Sequence, residues 1–485
     1  MTEEAIPFIN AMSPATPELG GGSPTAHNVL TLGNGSLVRR PGLKSYFGAP
    51  ATAIHGSELV AVYEAMDGKL FAVGRDDGGQ RPIYHVTPGG AVSLGVGEAF
   101  LTGTLRPVIA ETEMILAIAG GYEIEMVILG WPSAQRLSAG DSPKASHVLA
   151  NKLRLVANDM LTDRTIVQYS AIASGDTFPG MGGITGHTQW YLNAGAGYFT
   201  AEARPDPVVA LADTSGEILV FGTSTVQVYA ADETLVWAPV GTIEAGCAAP
   251  YSVIKHRGLF FWLDHRRRFV VGEGTSVKEI SQPIQSELDA LASIDDCWGF
   301  TFQERNVVCL VWVFPAAGVA YAFQEGAGWS RWTGWTAGNW SPLMVACHHQ
   351  RFAGAENIVG TTDGRVSLLT LTANDDHGAP IRAYVETGYN DHGTSRRKHT
   401  ESVSFRFRRG EVASATGPQA YFGFRDRPGA WAARIPIDLG ATGDTEVVVQ
   451  FFSLGSYRTR QWFFEFSGSE RIELLGATET FDVDP

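Results

Sequence analysis

From Leu59 to Leu371 the chain repeats one pattern of apolar and polar positions. Each unit is a short apolar run, a turn of Gly, Asp or Asn, a second apolar or alternating run, and a polar connection. The clearest copy is LVAVYEAMDGKLFAVG, Leu59–Gly74. Its Asp67-Gly68 pair predicts a hairpin with a type I′ turn, because both central residues of that turn need positive φ. The theme returns at Ile83–Gly95, at Met114–Leu129 with a turn at Gly120-Gly121, and at Glu217–Ala230. It returns again at Gly258–Gly274, at Val307–Phe323, and at Asn357–Leu371 with a turn at Asp363-Gly364. Unit starts near 59, 114, 217, 258, 307 and 357 leave room for one more copy around Leu153–Ala171. A period of about 40–55 residues with about four strands per unit is that of β-propeller blades. No WD or kelch signature marks the units, so the pattern gives six or seven blades. The competing reading is an irregular all-β chain of several sandwiches.

Two segments depart from this rhythm. VVCLVWVFPAAGVAYAF, Val307–Phe323, is near the length of a membrane helix. Pro315-Ala316-Ala317-Gly318 divides it, and its first half is β-branched and aromatic, so it reads as a buried hairpin. SQPIQSELDALA, Ser281–Ala292, is the best helix candidate, with Ser281 as cap, Pro283 early, and Ile284, Leu288 and Leu291 on one face. Around Asp375–Pro380 the strands become longer. In ESVSFRFRRG, Val403, Phe405 and Phe407 share one face, and Ser404, Arg406 and Arg408 the other. The expected organisation is an all-β fold: an extended N-terminal arm over residues 1–50, an irregular β-propeller over 51–375, and a C-terminal β-sandwich docking domain over 376–485.

Composition supports a large core: 44% of the 485 residues are hydrophobic and only 18% are charged, which excludes a disordered chain. The 56 glycines and 24 prolines fit many tight turns. The net charge of −15 argues against general adhesion to nucleic acid, though not against letting DNA slide past. Cys247, Cys297, Cys309 and Cys347 form no C-x-x-C pair and read as buried reduced thiols of a cytosolic product. The opening MTEEAIPFINAM is acidic where a signal peptide is basic.

A search for chemistry returns no catalytic set, cofactor motif or metal site. His348 and His349 are adjacent and point to opposite faces of a strand, and no H-E-x-x-H or G-x-S-x-G occurs. Asp264-His265 beside Arg266-Arg267-Arg268 reads as a solvated turn, and GMGGITGH, Gly180–His187, has no helix after it to make a phosphate loop. Trp329, Trp332, Trp335 and Trp340 read as core in preference to carbohydrate stacking. The one charge feature is Arg396, Arg397 and Lys398 with Arg406, Arg408 and Arg409, a candidate patch for an acidic protein neighbour or DNA phosphates. A solvated strand face is the alternative.

Four stretches resemble the tail hub proteins of short-tailed bacteriophages, also called packaged-DNA stabilisation, tail accessory or nozzle proteins. They are NVLTLGNGSLVRRPGLKSYF (Asn28–Phe47), IEAGCAAPYSVIKHRGLFFWLDHRRRFVV (Ile243–Val271), VKEISQPIQSELDALASIDDCWGFTFQERN (Val277–Asn306) and GSYRTRQWFFEFS (Gly455–Ser467), in the family's order. Met181–Phe199 aligns with nothing in that family. The resemblance implies a non-enzymatic virion protein, assembled in the host cytoplasm as a homohexameric ring below the portal and adaptor proteins. Such a ring retains packaged double-stranded DNA, provides its ejection channel without sequence specificity, and carries a needle, spike or fibre protein below. An acidic or neutral lumen is expected of it. A glycan-binding or glycan-cleaving tail propeller for host attachment is the alternative function.

Overall fold

The computed structural model describes residues 2–485 except 9–24, 48–52, 76–80, 88–89, 94–99, 102–104, 114, 130–141, 173–186, 188, 191–194, 202–205, 215, 274–275, 352–355, 410–419, 428, 440–444 and 469–470. Strand makes up 58% of it and helix 3%, so the class is all-β, and the arrangement is a propeller. Antiparallel sheets follow one another around an axis. Blade 1 runs from Leu59–Glu64 to Arg81–Thr87 and Phe100–Leu101, and blade 2 from Val108–Glu111 to Glu125–Ile128. Blade 3 spans Val148–Asn151 to Gly197–Thr200, blade 4 Val208–Asp213 to Val236–Ile243, and blade 5 Ile254–His256 to Ser276–Glu279. Blade 6 spans Trp298–Glu304 to Gly328–Trp332, and blade 7 Val345–Gln350 to Val366–Thr370. Among the described residues six of these sheets are full blades of four or more strands, and blade 2 has three.

The apolar runs have a direct packing consequence. A blade strand is covered on both faces, so successive side chains enter different cores. In Glu217–Gly222, Ile218 and Val220 pack with Leu149 and Val156 of blade 3, while Leu219 and Phe221 pack with Phe260 and Trp262 of blade 5. Each neighbouring pair of blades shares such a cluster, and the ring closes where Leu59 and Val62 of blade 1 meet Cys347 and Ile358 of blade 7. The Asp-Gly turns are built differently from the expected type I′. The Gly68 amide donates to the Ala65 carbonyl at 2.8 Å, and Gly68 has φ 81° whereas Asp67 is not at positive φ. Asp363-Gly364 repeats this, with the Gly364 amide on Thr361 and φ 81°. The turn therefore starts two residues before the Asp and leaves only the glycine in the left-handed region.

Val307–Phe314 and Val319–Gln324 form the expected hairpin inside blade 6, and among the described residues no helix is long and apolar enough to cross a membrane. The helix over Ser281–Ala292 is shorter than the pattern predicts: a 3-10 turn at Gln282–Ile284 leads into Gln285–Ala290. Ile284 and Leu288 are buried as read, but Ser281 makes no side-chain cap; its hydroxyl accepts the Phe269 amide at 3.1 Å and ties the helix to blade 5.

The described residues among the first 50 are woven into both modules. Thr2–Ala5 pairs with Ile472–Val483, and Ile6 and Phe8 enter the C-terminal core. Thr25–His27 lies between Gly328–Trp332 and Ala383–Glu386, which makes blade 6 continuous with the C-terminal strands in one nine-stranded sheet. Gly42–Ser45 is the fourth strand of blade 7. The C-terminal module is two sheets around Phe405, Phe407, Phe422, Trp462 and Phe464, with Lys398–Arg409 at the centre of one sheet and Arg460–Phe466 in the other. Arg40 pins the junction from a fully buried position. It binds Asp376 at 2.5 Å and donates to the carbonyls of Thr333 and Pro41, each at 2.8 Å.

Candidate functional site

The basic run lies on the strand Lys398–Arg409 and its lead-in, and the fold separates its members. Lys398 is buried, with its ammonium donating to the carbonyls of Thr394, Arg396 and Arg458 at 2.6, 3.0 and 2.7 Å. Burial lowers its pKa. Arg408 reaches Glu446 at 3.2 Å and Glu473 at 3.3 Å, and Arg409 donates to the Leu439 carbonyl at 3.0 Å. These three cations are engaged within the module. Arg396 and Arg397 are exposed at the strand's start, Arg397 donating to the Ser456 hydroxyl at 2.9 Å. Exposed Arg458, which the sequence search missed, joins them through the Ser395 carbonyl at 2.6 Å. Arg406 is exposed nine residues on, about 30 Å away at strand rise. The charge thus forms one cluster of Arg396, Arg397 and Arg458 and a separate Arg406.

Arg406 faces an apolar edge. It lies opposite Val448 in the strand Glu446–Phe452, the edge of that sheet among the described residues. Val448 and Phe452 are 61% and 66% exposed, while Val449 and Phe451 of the same strand pack on the sandwich core. An uncovered edge with apolar side chains is a template for pairing with another chain.

The other sequence candidates resolve into structural parts. Buried Asp264 closes the turn of Leu263–Phe269, accepting the Arg266 and Arg268 amides at 2.8 Å each and binding the Arg268 guanidinium at 2.6 Å. Trp329 and Trp332 are core residues of blade 6. Trp335 and Trp340 pack edge to face and hold the Arg382 guanidinium at 4.5 and 5.0 Å, so no flat stacking platform is presented. His348 stacks on Phe300 and bonds Asn357 at 3.1 Å, while His349 lies on Tyr63. Burial lowers the two ring pKa values to about 3 and about 4, so both are neutral. All four cysteines are free and buried, and burial pushes Cys247 and Cys347 up to about 12, away from thiolate chemistry. Among the described residues no group of His, Cys, Asp or Glu could hold a metal ion. Of the glycine-rich stretch, Gly180–Gly186 lies outside the described residues.

Comparison with curated proteins gives no match. Among solved structures, the extracellular domain of BT4673 from B. thetaiotaomicron is 8% identical with a TM-score of 0.41, covering 74% of this chain and 43% of that one. The N-terminal domain of Nup159 is 8% identical with a TM-score of 0.40, covering 72% of this chain and 99% of that one. Kluyveromyces lactis Hsv2 is 11% identical with a TM-score of 0.32, covering 57% and 97%. Likenesses this distant carry no functional argument. Residues 188–373 match the family model Phage_stabilise, described as Bacteriophage P22 Gp10, beta-propeller. The matched stretch holds blades 4 to 7, and the likeness supports a structural protein of a phage tail.

Proposed function

We propose that this chain is a ring-forming hub of a short phage tail, placed below the portal and adaptor, which retains packaged DNA and surrounds its exit path. The observation that carries the reading is the family match over residues 188–373, which includes two of the stretches that resemble tail hubs, Ile243–Val271 and Val277–Asn306. The architecture fits the role. Blades sealed on both faces, fused through a shared sheet to a sandwich, make a stiff wedge, and identical wedges in a cyclic ring close head to tail. In that ring the edge Glu446–Phe452 and Arg406 belong to the contact between copies, because burial there covers Val448 and Phe452. The cluster of Arg396, Arg397 and Arg458 faces an acidic neighbour above or below. The net charge of −15 favours an acidic or neutral lumen that releases DNA.

The test is a phage carrying an early stop codon in this gene, grown on suppressing and non-suppressing hosts. Without the protein, heads should fill, then leak DNA, and lack the ring below the portal in electron micrographs. Particles that hold their genome and show the ring without this chain overturn the proposal.

A further inference from the structure

The innermost strands of the blades converge on an axial cavity of about 370 Å³. Its composition is unusual for this chain. The protein carries 51 acidic residues, yet none of the described residues lining the cavity is Asp or Glu. Arg106, on the lead-in to blade 2, enters it. The guanidinium lies 4.3 Å from the centre of the Trp298 ring and donates to the Ala346 carbonyl at 2.9 Å. Among the described residues no carboxylate forms an ion pair with it: Glu58, whose charge acts on it, is bound to Arg75 at 2.7 Å. Lys255, the other cation on the wall, is 3.9 Å from Asp213.

Arg106 is partly buried, and a cation drawn out of water without a counter-ion is costly unless an anion or water completes it. The surroundings of Arg106 offer little else. Burial lowers its pKa, and Arg81 adds like charge. Tyr251 supplies an independent observation. Its hydroxyl is shielded from solvent and has no hydrogen-bond partner among the described residues, although its ring is fixed by stacking on His147 at 5.1 Å. Burial pushes that phenol up to about 12 against the pull of Arg106 and Arg81, so it is a proton donor. The indole N–H of Trp298, the ring beneath Arg106, is likewise buried and unbonded. The wall histidines do not compete as acceptors for these donors: His147 bonds Ser146 at 3.0 Å and the Pro250 carbonyl, and His348 bonds Asn357.

From an unpaired guanidinium, an orphan phenol and a wall free of carboxylates, we infer that the propeller axis is a binding site for a small oxyanion, of the phosphate or phosphate-ester class. Arg106 supplies the charge and Tyr251 the directed hydrogen bond. The inference is independent of the tail reading, since it rests on the side chains that line the propeller axis and not on the family likeness. The experiment is calorimetric titration of the full-length protein with inorganic phosphate, and separately with a nucleoside monophosphate, against chloride at equal ionic strength. One saturable site per chain is expected. Removing one hydrogen bond to a charged ligand by Tyr251→Phe should weaken it roughly tenfold, and Arg106→Gln should abolish it. Tighter binding of the monophosphate than of phosphate would assign the remaining room to an organic group; equal binding would assign the bare anion. Absence of saturable heat from the wild type overturns the inference. So does unchanged affinity in Tyr251→Phe, which loses one oxygen and keeps its ring stacking.

Discussion

At the scale of single residues, buried charge shows which contacts hold the modules together. Arg40 is fully buried, and among the described residues Asp376 is its one carboxylate partner, at 2.5 Å. Arg40 immediately precedes the blade 7 strand Gly42–Ser45, and Asp376 pairs with Leu43 of that strand, so the ion pair fixes two segments far apart in the chain. Replacing Asp376 with Ala leaves a guanidinium uncompensated in the interior, and loss of one partner of a buried pair costs about 3–5 kcal/mol. Urea unfolding of Asp376→Ala should show a loss of that order, whereas Lys69→Ala, which breaks a half-exposed pair with Asp67, should stay within about 0.5 kcal/mol. Equal effects would mean that the junction does not depend on this pair. Residue chemistry was partly legible in the sequence. The four cysteines read as buried thiols, and they are buried and free; Asp264 read as part of a solvated turn, whereas its carboxylate is buried and closes that turn. The basic run read as one patch, because sequence proximity hides what strand geometry does: Lys398 turns inward under three carbonyls, and Arg406 lies far along the strand. Arg458 was invisible because it comes to the cluster by pairing of Lys398 with Tyr457 across the sheet.

Among the elements, hairpins were legible and long-range pairings were not. Apolar runs separated by Asp-Gly announce their own partner, as in Leu59–Gly74 and Asn357–Thr370. The strands Thr2–Ala5 and Gly42–Ser45 carry no local sign that they pair with Ile472–Val483 and Val366–Thr370. Their partners lie far along the chain, where no local pattern points to them, and so residues 1–50 read as an extended arm. The edge strand Glu446–Phe452 yields a prediction at this scale. Its sequence EVVVQFF alternates an inner row on the sandwich core with an outer row containing Val448 and Phe452. Phe452→Glu should leave monomer stability within about 0.5 kcal/mol, since the side chain is exposed. If the edge is a ring contact, it should weaken self-association at least tenfold, on the scale of losing a central apolar anchor. Sedimentation velocity across a concentration series reads both states. An unchanged assembly profile removes this strand from the interface.

Across the whole molecule, the histidines tie stability to pH. His27, His147 and His187 are each at most 8% exposed, and burial lowers their pKa values to about 3, 4 and 4, with Arg331 and Arg382 adding to the effect on His27. His348 and His349 shift the same way on the axis. In the unfolded chain each ring takes a proton near pH 6.5. The unfolded state therefore binds more protons than the folded state below that value, and stability present above pH 6.5 is lost as the pH falls towards 4. One deeply buried ring contributes a loss of roughly 2 kcal/mol between pH 7 and pH 5. His392 acts oppositely. Burial lowers its pKa, but Glu479 and Glu4 outweigh that and raise it, so its contribution is present at low pH and lost as the pH rises. One opposing ring does not cancel several that agree, and depressed carboxylates such as Asp206, held by Thr223, Ser224 and Thr225, add losses only at lower pH. The urea midpoint should fall continuously from pH 7 to pH 5, with an unfolding free energy lower by several kcal/mol at the acid end. His147→Gln, which cannot be protonated there, should flatten the slope by about one proton. A midpoint that is level or rises on acidification would show that these rings take up protons in the folded state, and hence that the propeller axis and its blade contacts are open to water.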